Sequence, residues 1–168
     1  MKIGAVASPH AVPGGAFGAS LAESSGLFAV GAPGEGRVYR MQGGAVVETL
    51  KGGTGFGSSV AVGAGLTLVG SPVEGKAFVY GGGAPRVLVA TVPRFGLGVA
   101  LDGTHAVVAG AADGGRALVF DAFSGALTQS VSLGSAPGGA ALAAKDGIAL
   151  VGLFQLAGGG AGLAGTFH

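Results

Sequence analysis

Three pairs of opposite charges recur at nearly constant spacing. Glu35 with Arg37, Glu74 with Lys76, and Asp113 with Arg116 hold six of only 17 charged side chains. Arginine and lysine presented together can bind carboxylate or phosphate groups, arginine through paired parallel bonds. Carboxylates beside them would orient the cations, so the pattern reads as a polar face for a protein or glycan partner. Phe154, where the corresponding charged loop of a fourth repeat should lie, would add an apolar contact. An alternative is solubility alone, since exposed ion pairs contribute little.

Other chemistry is weakly represented. Gly70-Ser71-Pro72-Val73-Glu74-Gly75-Lys76-Ala77 approaches a phosphate-binding loop, but it lacks the final Ser or Thr and runs into a strand-like segment. Gly160 to Gly165 matches a dinucleotide fingerprint with only three residues after it, too few for the helix that would face a pyrophosphate. His10, His105 and His168 occupy non-equivalent positions without metal-ligand spacing. His105, following a turn, reads as a surface residue. Ser58 and Ser59 lie where the preceding repeat has Ala19 and Ser20, which marks them as packing residues. No catalytic set, metal site or cofactor site is expected, and the chain reads as a non-enzyme.

The elements that position these residues repeat too. Phe17-Gly18, Phe56-Gly57 and Phe95-Gly96 are 39 residues apart. Each is followed by a Gly-small-small step at Gly31, Gly70 and Gly110, then by a Gly-basic pair at Gly36, Gly75 and Gly115. A fourth, decayed copy has Pro137-Gly138, Gly152 and a closing segment from Gly162 to Phe167. A period near 40 residues signals stacked or radial repeats. Within the third copy, Val99 to Leu101, the Asp102-Gly103 turn and Ala106 to Gly110 read as a hairpin; Arg116 to Phe120 and Leu127 to Leu133 complete four strands. The strands are apolar on both sides, which implies burial of both faces, as in the blades of a β-propeller.

These observations predict an all-β fold: a single domain over residues 1–168 forming a propeller of about four four-stranded blades. Copy four ends after its third strand. Lys2 to Ala7 stands where Val46 to Leu50 and Val87 to Val92 precede later copies, so it is expected to complete the last blade and close the ring, removing an exposed edge. Exchange of that strand between two chains is the other possibility, and a stacked solenoid a third.

The phrases FGASLAESSGLFAVGAPGEGRVY and FGSSVAVGAGLTLVGSPVEGKAFVY resemble FG-GAP repeats, the blades of integrin alpha-subunit propellers and many bacterial proteins. The resemblance implies a non-enzymatic propeller whose loops bind partners, often outside the cell. Many members carry calcium loops between the first two strands of a blade. Here those positions hold Glu23-Ser24-Ser25-Gly26, Gly63-Ala64-Gly65, Asp102-Gly103 and Lys145-Asp146-Gly147, without the oxygen ligands calcium needs.

Composition narrows the classes further. The 38 Gly and 7 Pro accompany 47 Leu, Ile, Val and Phe, enough apolar bulk for a folded chain. A net charge of +1 gives no basic surface for nucleic acid. There is no Cys, hence no disulfide or thiolate chemistry, and the N-terminus shows no signal-peptide pattern. The uncharged stretches 52–73 and 147–167 reach membrane-spanning length but coincide with repeat units, and no membrane span is expected. Compartment is left open. The leading expectation is an interaction module; a subunit of a virion or surface layer is the alternative, and a carbohydrate-active propeller enzyme the least favoured.

Overall fold

The computed structural model describes residues 5–111, 115–133, 138–154 and 163–167, with side chains as far as Gly152. Fifteen strands form four antiparallel sheets, and no helix occurs among the described residues. Sheet one contains β1 (Ser20–Ser24), β2 (Leu27–Ala32), β3 (Arg37–Gln42) and β4 (Ala45–Lys51). Sheet two follows with β5 (Ser59–Gly63), β6 (Leu66–Ser71), β7 (Lys76–Tyr80) and β8 (Arg86–Val89). Sheet three holds β9 (Gly98–Asp102), β10 (His105–Gly110), β11 (Arg116–Asp121) and β12 (Leu127–Ser132). Sheet four comprises β13 (Gly139–Lys145), β14 (Ile148–Phe154) and β15 (Leu163–Phe167). Each is a meander in chain order, as the 40-residue repeat and its turn residues require.

The sheets stack face to face around their first strands: β1 packs on β5, β5 on β9, and β9 on β13. We call front the face turned toward the preceding sheet and rear the face turned toward the next. Leu68, Ala77 and Leu88 on the rear of sheet two meet Phe95, Val99, Leu101 and Val108 on the front of sheet three. Ala100, Val107 and Val119 meet Ala149, Val151 and Leu142 in the same way between sheets three and four. Apolar residues on both sides of a strand are therefore explained by two neighbours per sheet.

The repeated landmarks perform one mechanical task. Gly57 and Gly96 adopt φ of +89° and +93°, a region that L side chains rarely enter. Their amides bond within their own repeat, Gly57 N–H to Gly70 O at 3.1 Å and Gly96 N–H to Ala109 O at 3.1 Å. Their carbonyls accept from the preceding sheet: the Ser20 hydroxyl donates to Gly57 O at 2.7 Å, and the Ser59 hydroxyl to Gly96 O at 3.0 Å. Ser59 is thus a packing residue, as its repeat position implied. The phenylalanines seal the joint. Phe56 and Phe95 are fully buried, meeting Phe78 at 5.4 Å and Phe120 at 5.7 Å between ring centroids in edge-on geometry. Phe17 meets Tyr39 at 5.6 Å in the same manner but is only half-buried, because no sheet precedes the first.

The N-terminal strand expected beside β15 is not seen among the described residues. Ala5 to Ser8 carry no ladder, and residues 1–4 lie outside the described part. Instead this segment leans on sheet one: Val6 lines a cleft of about 460 Å³ with Phe17, Leu21, Phe28, Val30 and Met41. The Ser8 hydroxyl donates to Glu35 at 2.6 Å. No helix among the described residues is long and apolar enough to cross a membrane.

Candidate binding face

Arg37, Lys76 and Arg116 each open the third strand of their sheet. They pair in register with Ala32, Ser71 and Gly110 at the end of the second strand, so the three occupy equivalent positions along one edge of the stack. The connecting loops are short because Gly36 and Gly75 take positive φ and turn the chain back at once. Arg37 and Lys76 are half-buried and Arg116 is exposed. Lys51 stands opposite Arg37 on β4, adding a fourth cation to the same rim.

Among the described residues Glu35 and Glu74 bond hydroxyls and form no ion pair with these cations. Glu35 accepts hydroxyl bonds from Ser8 and Tyr39, while the Arg37 guanidinium donates to the backbone carbonyl of Glu35 at 3.0 Å. Glu74 accepts from the Ser71 hydroxyl at 2.7 Å. Both acids fold back onto hydroxyls of their own surroundings, Glu35 half-buried and Glu74 exposed. Among the described residues the one ion pair is Arg40 with Glu48, cross-strand partners on β3 and β4. Asp113 lies outside the described residues. Phe154 is the last residue of β14, opposite Gly139, so it belongs to the ladder and not to the loop in which it was expected. Its side chain lies outside the described part.

Burial pushes the Glu35 carboxyl up, but the Ser8 and Tyr39 hydroxyls, with the charges of His10 and Arg37, outweigh it and hold the group below the ordinary carboxylate range. The Tyr39 phenol is pushed up by burial first and by its bond to Glu35 second.

A second region escapes sequence reasoning. His105 is exposed, as expected, and stands at an open cleft of about 540 Å³ between sheets three and four, with Asp102, Thr128 and Gln129 among the polar lining and Val107 and Ile148 among the apolar. In register His105 pairs with Asp102 on one side and Asp121 on the other. Both carboxylates serve the backbone. Asp102 accepts the Gly147 amide at 2.6 Å across the two sheets, and Asp121 accepts the Ser124 amide and hydroxyl and the Phe123 amide. Those bonds, the Ser124 amide foremost, hold the Asp121 carboxyl below its usual range. Only tertiary structure places Asp121 and Thr128 beside the hairpin of His105, so the chain order offered no signal beyond the Asp102-Gly103 turn. No group of three His, Cys, Asp or Glu side chains comes together among the described residues.

No family model and no curated protein matches the chain. Solved structures do. The computationally designed Ika4 protein superposes with a TM-score of 0.68 at 19% identity, over 91% of this chain and 92% of that one. The designed Ika8 protein matches with a TM-score of 0.62 at 17% identity, over 90% of this chain and 45% of its own length. The glutaminyl cyclase of Myxococcus xanthus gives a TM-score of 0.58 at 17% identity, over 83% of this chain and 62% of the enzyme. These similarities concern the fold: a series of four antiparallel sheets.

Proposed function

We propose that this chain is a small β-propeller acting as a non-enzymatic interaction module, a degenerate FG-GAP-like unit without calcium loops. It docks a protein or glycan partner on the rim formed by the second-to-third-strand loops. In this reading Lys2 to Ala7 supplies the strand beside β15, and the ring closes on that strand.

The observation that supports the reading is the equivalent placement of Arg37, Lys76 and Arg116 at the start of β3, β7 and β11, with the Glu35 and Glu74 side chains turned back onto their own loops. Cations held on a scaffold at regular intervals suit a ligand with spaced carboxylates, such as the acidic face of a protein or an acidic glycan. In the Asp102, His105 and Asp121 cluster the carboxylates accept backbone amides, and the hydroxyls nearby are spent locally, Ser124 on Asp121 and Thr128 on the Val119 carbonyl, so the cluster is left outside this reading.

The test is a glycan array bearing neutral and uronate- or sialate-containing chains. The wild-type protein should retain acidic chains, and the triple variant Arg37→Ala, Lys76→Ala, Arg116→Ala should weaken that binding at least tenfold at unchanged melting temperature. Equal affinity in the variant would return the three residues to a solubilising role. The second reading, a subunit of a larger assembly, draws on the apolar surface at the two ends of the stack.

A further inference from the structure

The stack leaves two sheet faces uncovered, and both are halves of an interface that the chain already builds three times. Leu21 on the front of sheet one is 68% exposed, whereas its repeat equivalents Val60 and Val99 are 8% and 5% exposed beneath the preceding sheet. Phe28, next to it on β2, is 47% exposed, against 0% for the equivalent Thr67 and Ala106. At the other end Leu150, on the rear of sheet four, is 50% exposed, while Val107 and Leu68 in the same place on sheets three and two are buried. Ala141 and Ala143 beside it are exposed as well.

The two faces also match in charge. At the joint between sheets two and three, Gly63 of the rear face lies against Leu101 of the front face. Carried by the repeat to the open ends, that pair becomes Lys145 on sheet four and Glu23 on sheet one. Sheets two and three have the apolar Val62 and Leu101 at the front position, so only the first sheet has an acid there; at the rear position Ser24, Gly63 and Asp102 precede Lys145, the one base at that place. One Glu23 oxygen accepts the Gly26 amide, leaving the other for a cation.

Among the described residues these faces do not pack on one another. The first strands pack in series from β1 to β13, and among the described residues β13 makes no comparable return to β1. We propose that a second copy of the chain completes the ring: the front of sheet one in each copy seats on the rear of sheet four in the other, giving one closed ring of eight sheets. The contact is head to tail, and two such contacts related by a twofold axis close it. The match to Ika8 over 45% of that chain's length shows that a four-sheet series of this shape fits within a chain about twice as long. A sheet face of four strands and five to six residues measures roughly 19 by 18 Å. Two joints therefore bury on the order of 1,400 Å², within the range of stable dimers. This inference takes the place of closure within one chain: the ring closes between two copies, and the strand beside β15 comes from the partner. The N-terminal segment, held on sheet one by the Ser8–Glu35 bond, travels with the face that docks there.

Light scattering on the full chain after size exclusion tests the proposal. The expected particle has twice the chain mass of 15.7 kDa at micromolar concentration. Leu21→Asp and Leu150→Asp, each alone, should run as monomers with unchanged far-ultraviolet circular dichroism, because both side chains are on the surface of the single chain. An equimolar mixture of the two variants should recover a two-chain particle, since one intact joint remains between a wild-type front and a wild-type rear. A monomeric wild-type protein, a particle larger than two chains, or a dimer broken by only one of the two changes would overturn the head-to-tail ring. The triple cation variant should keep the two-chain mass, so failure of the binding-face reading and failure of this one are read separately.

Discussion

Replacing Gly70 by alanine should unfold this protein more easily, although the same substitution usually does the opposite. Gly70 lies in β6 at a negative φ, a setting where Gly→Ala restricts the unfolded chain and stabilises by about 0.4–1 kcal/mol. A Cβ built there, however, falls well inside 3.0 Å of both the Gly96 carbonyl oxygen and the Ser59 hydroxyl. The first of these atoms is backbone of the next sheet and cannot swing aside. Sheets two and three must separate, an overpacking cost of about 1–3 kcal/mol. The Ser59–Gly96 bond is lost with it, at about 0.5–1.5 kcal/mol. The net expectation is destabilisation by about 2 kcal/mol or more. For a chain of this size that lowers the melting temperature by roughly 4–8 °C, measured by calorimetry at matched protein concentration. Gly83→Ala is the control, because nothing lies within 4 Å of its added carbon and its φ is not positive. Ser59→Ala combined with Gly70→Ala should not restore stability, since the carbonyl remains. A Gly70→Ala protein melting at or above the wild type would refute the close-approach argument.

Two further outcomes are expected. Glu35 has a folded-state pKa below its ordinary 4.5, so its contribution is present above that value and is lost as pH falls through the lower folded value; Glu35→Gln should flatten the decline of melting temperature between pH 5 and 3, and an unchanged profile would remove Glu35 from the N-terminal anchor. Millimolar calcium should leave the melting temperature where it is, because the first hairpin loops lack clustered carboxylates; a rise of several degrees reversed by chelator would show a site where none is expected.

The repeat, the number of sheets and the turns were legible in the chain because each rests on local chemistry. Asp102-Gly103 and Asp146-Gly147 mark hairpins, strands apolar on both sides mark sheets covered on both faces, and the 39-residue period sets how many sheets there are. The rim cations were legible for the same reason, since Arg37, Lys76 and Arg116 follow a glycine turn at a constant offset. What the charged loops do with their acids was not. Glu35 chooses Tyr39 and Ser8, groups four and 27 residues away, and that choice depends on which donors burial brings near. The same holds for Phe154, whose assignment to β14 depends on pairing with Gly139. The function of the Phe-Gly and Gly-small landmarks also emerges only in three dimensions. Gly57 and Gly70 belong to one repeat, but the backbone oxygens that require their bareness come from the repeats on either side: Arg37 O for Gly57 and Gly96 O for Gly70. Sequence determined the repeating unit, because its signals lie within a few residues of one another. Tertiary structure decided which faces are covered and which stay open, because burial depends on a neighbour and the first and last sheets each lack one.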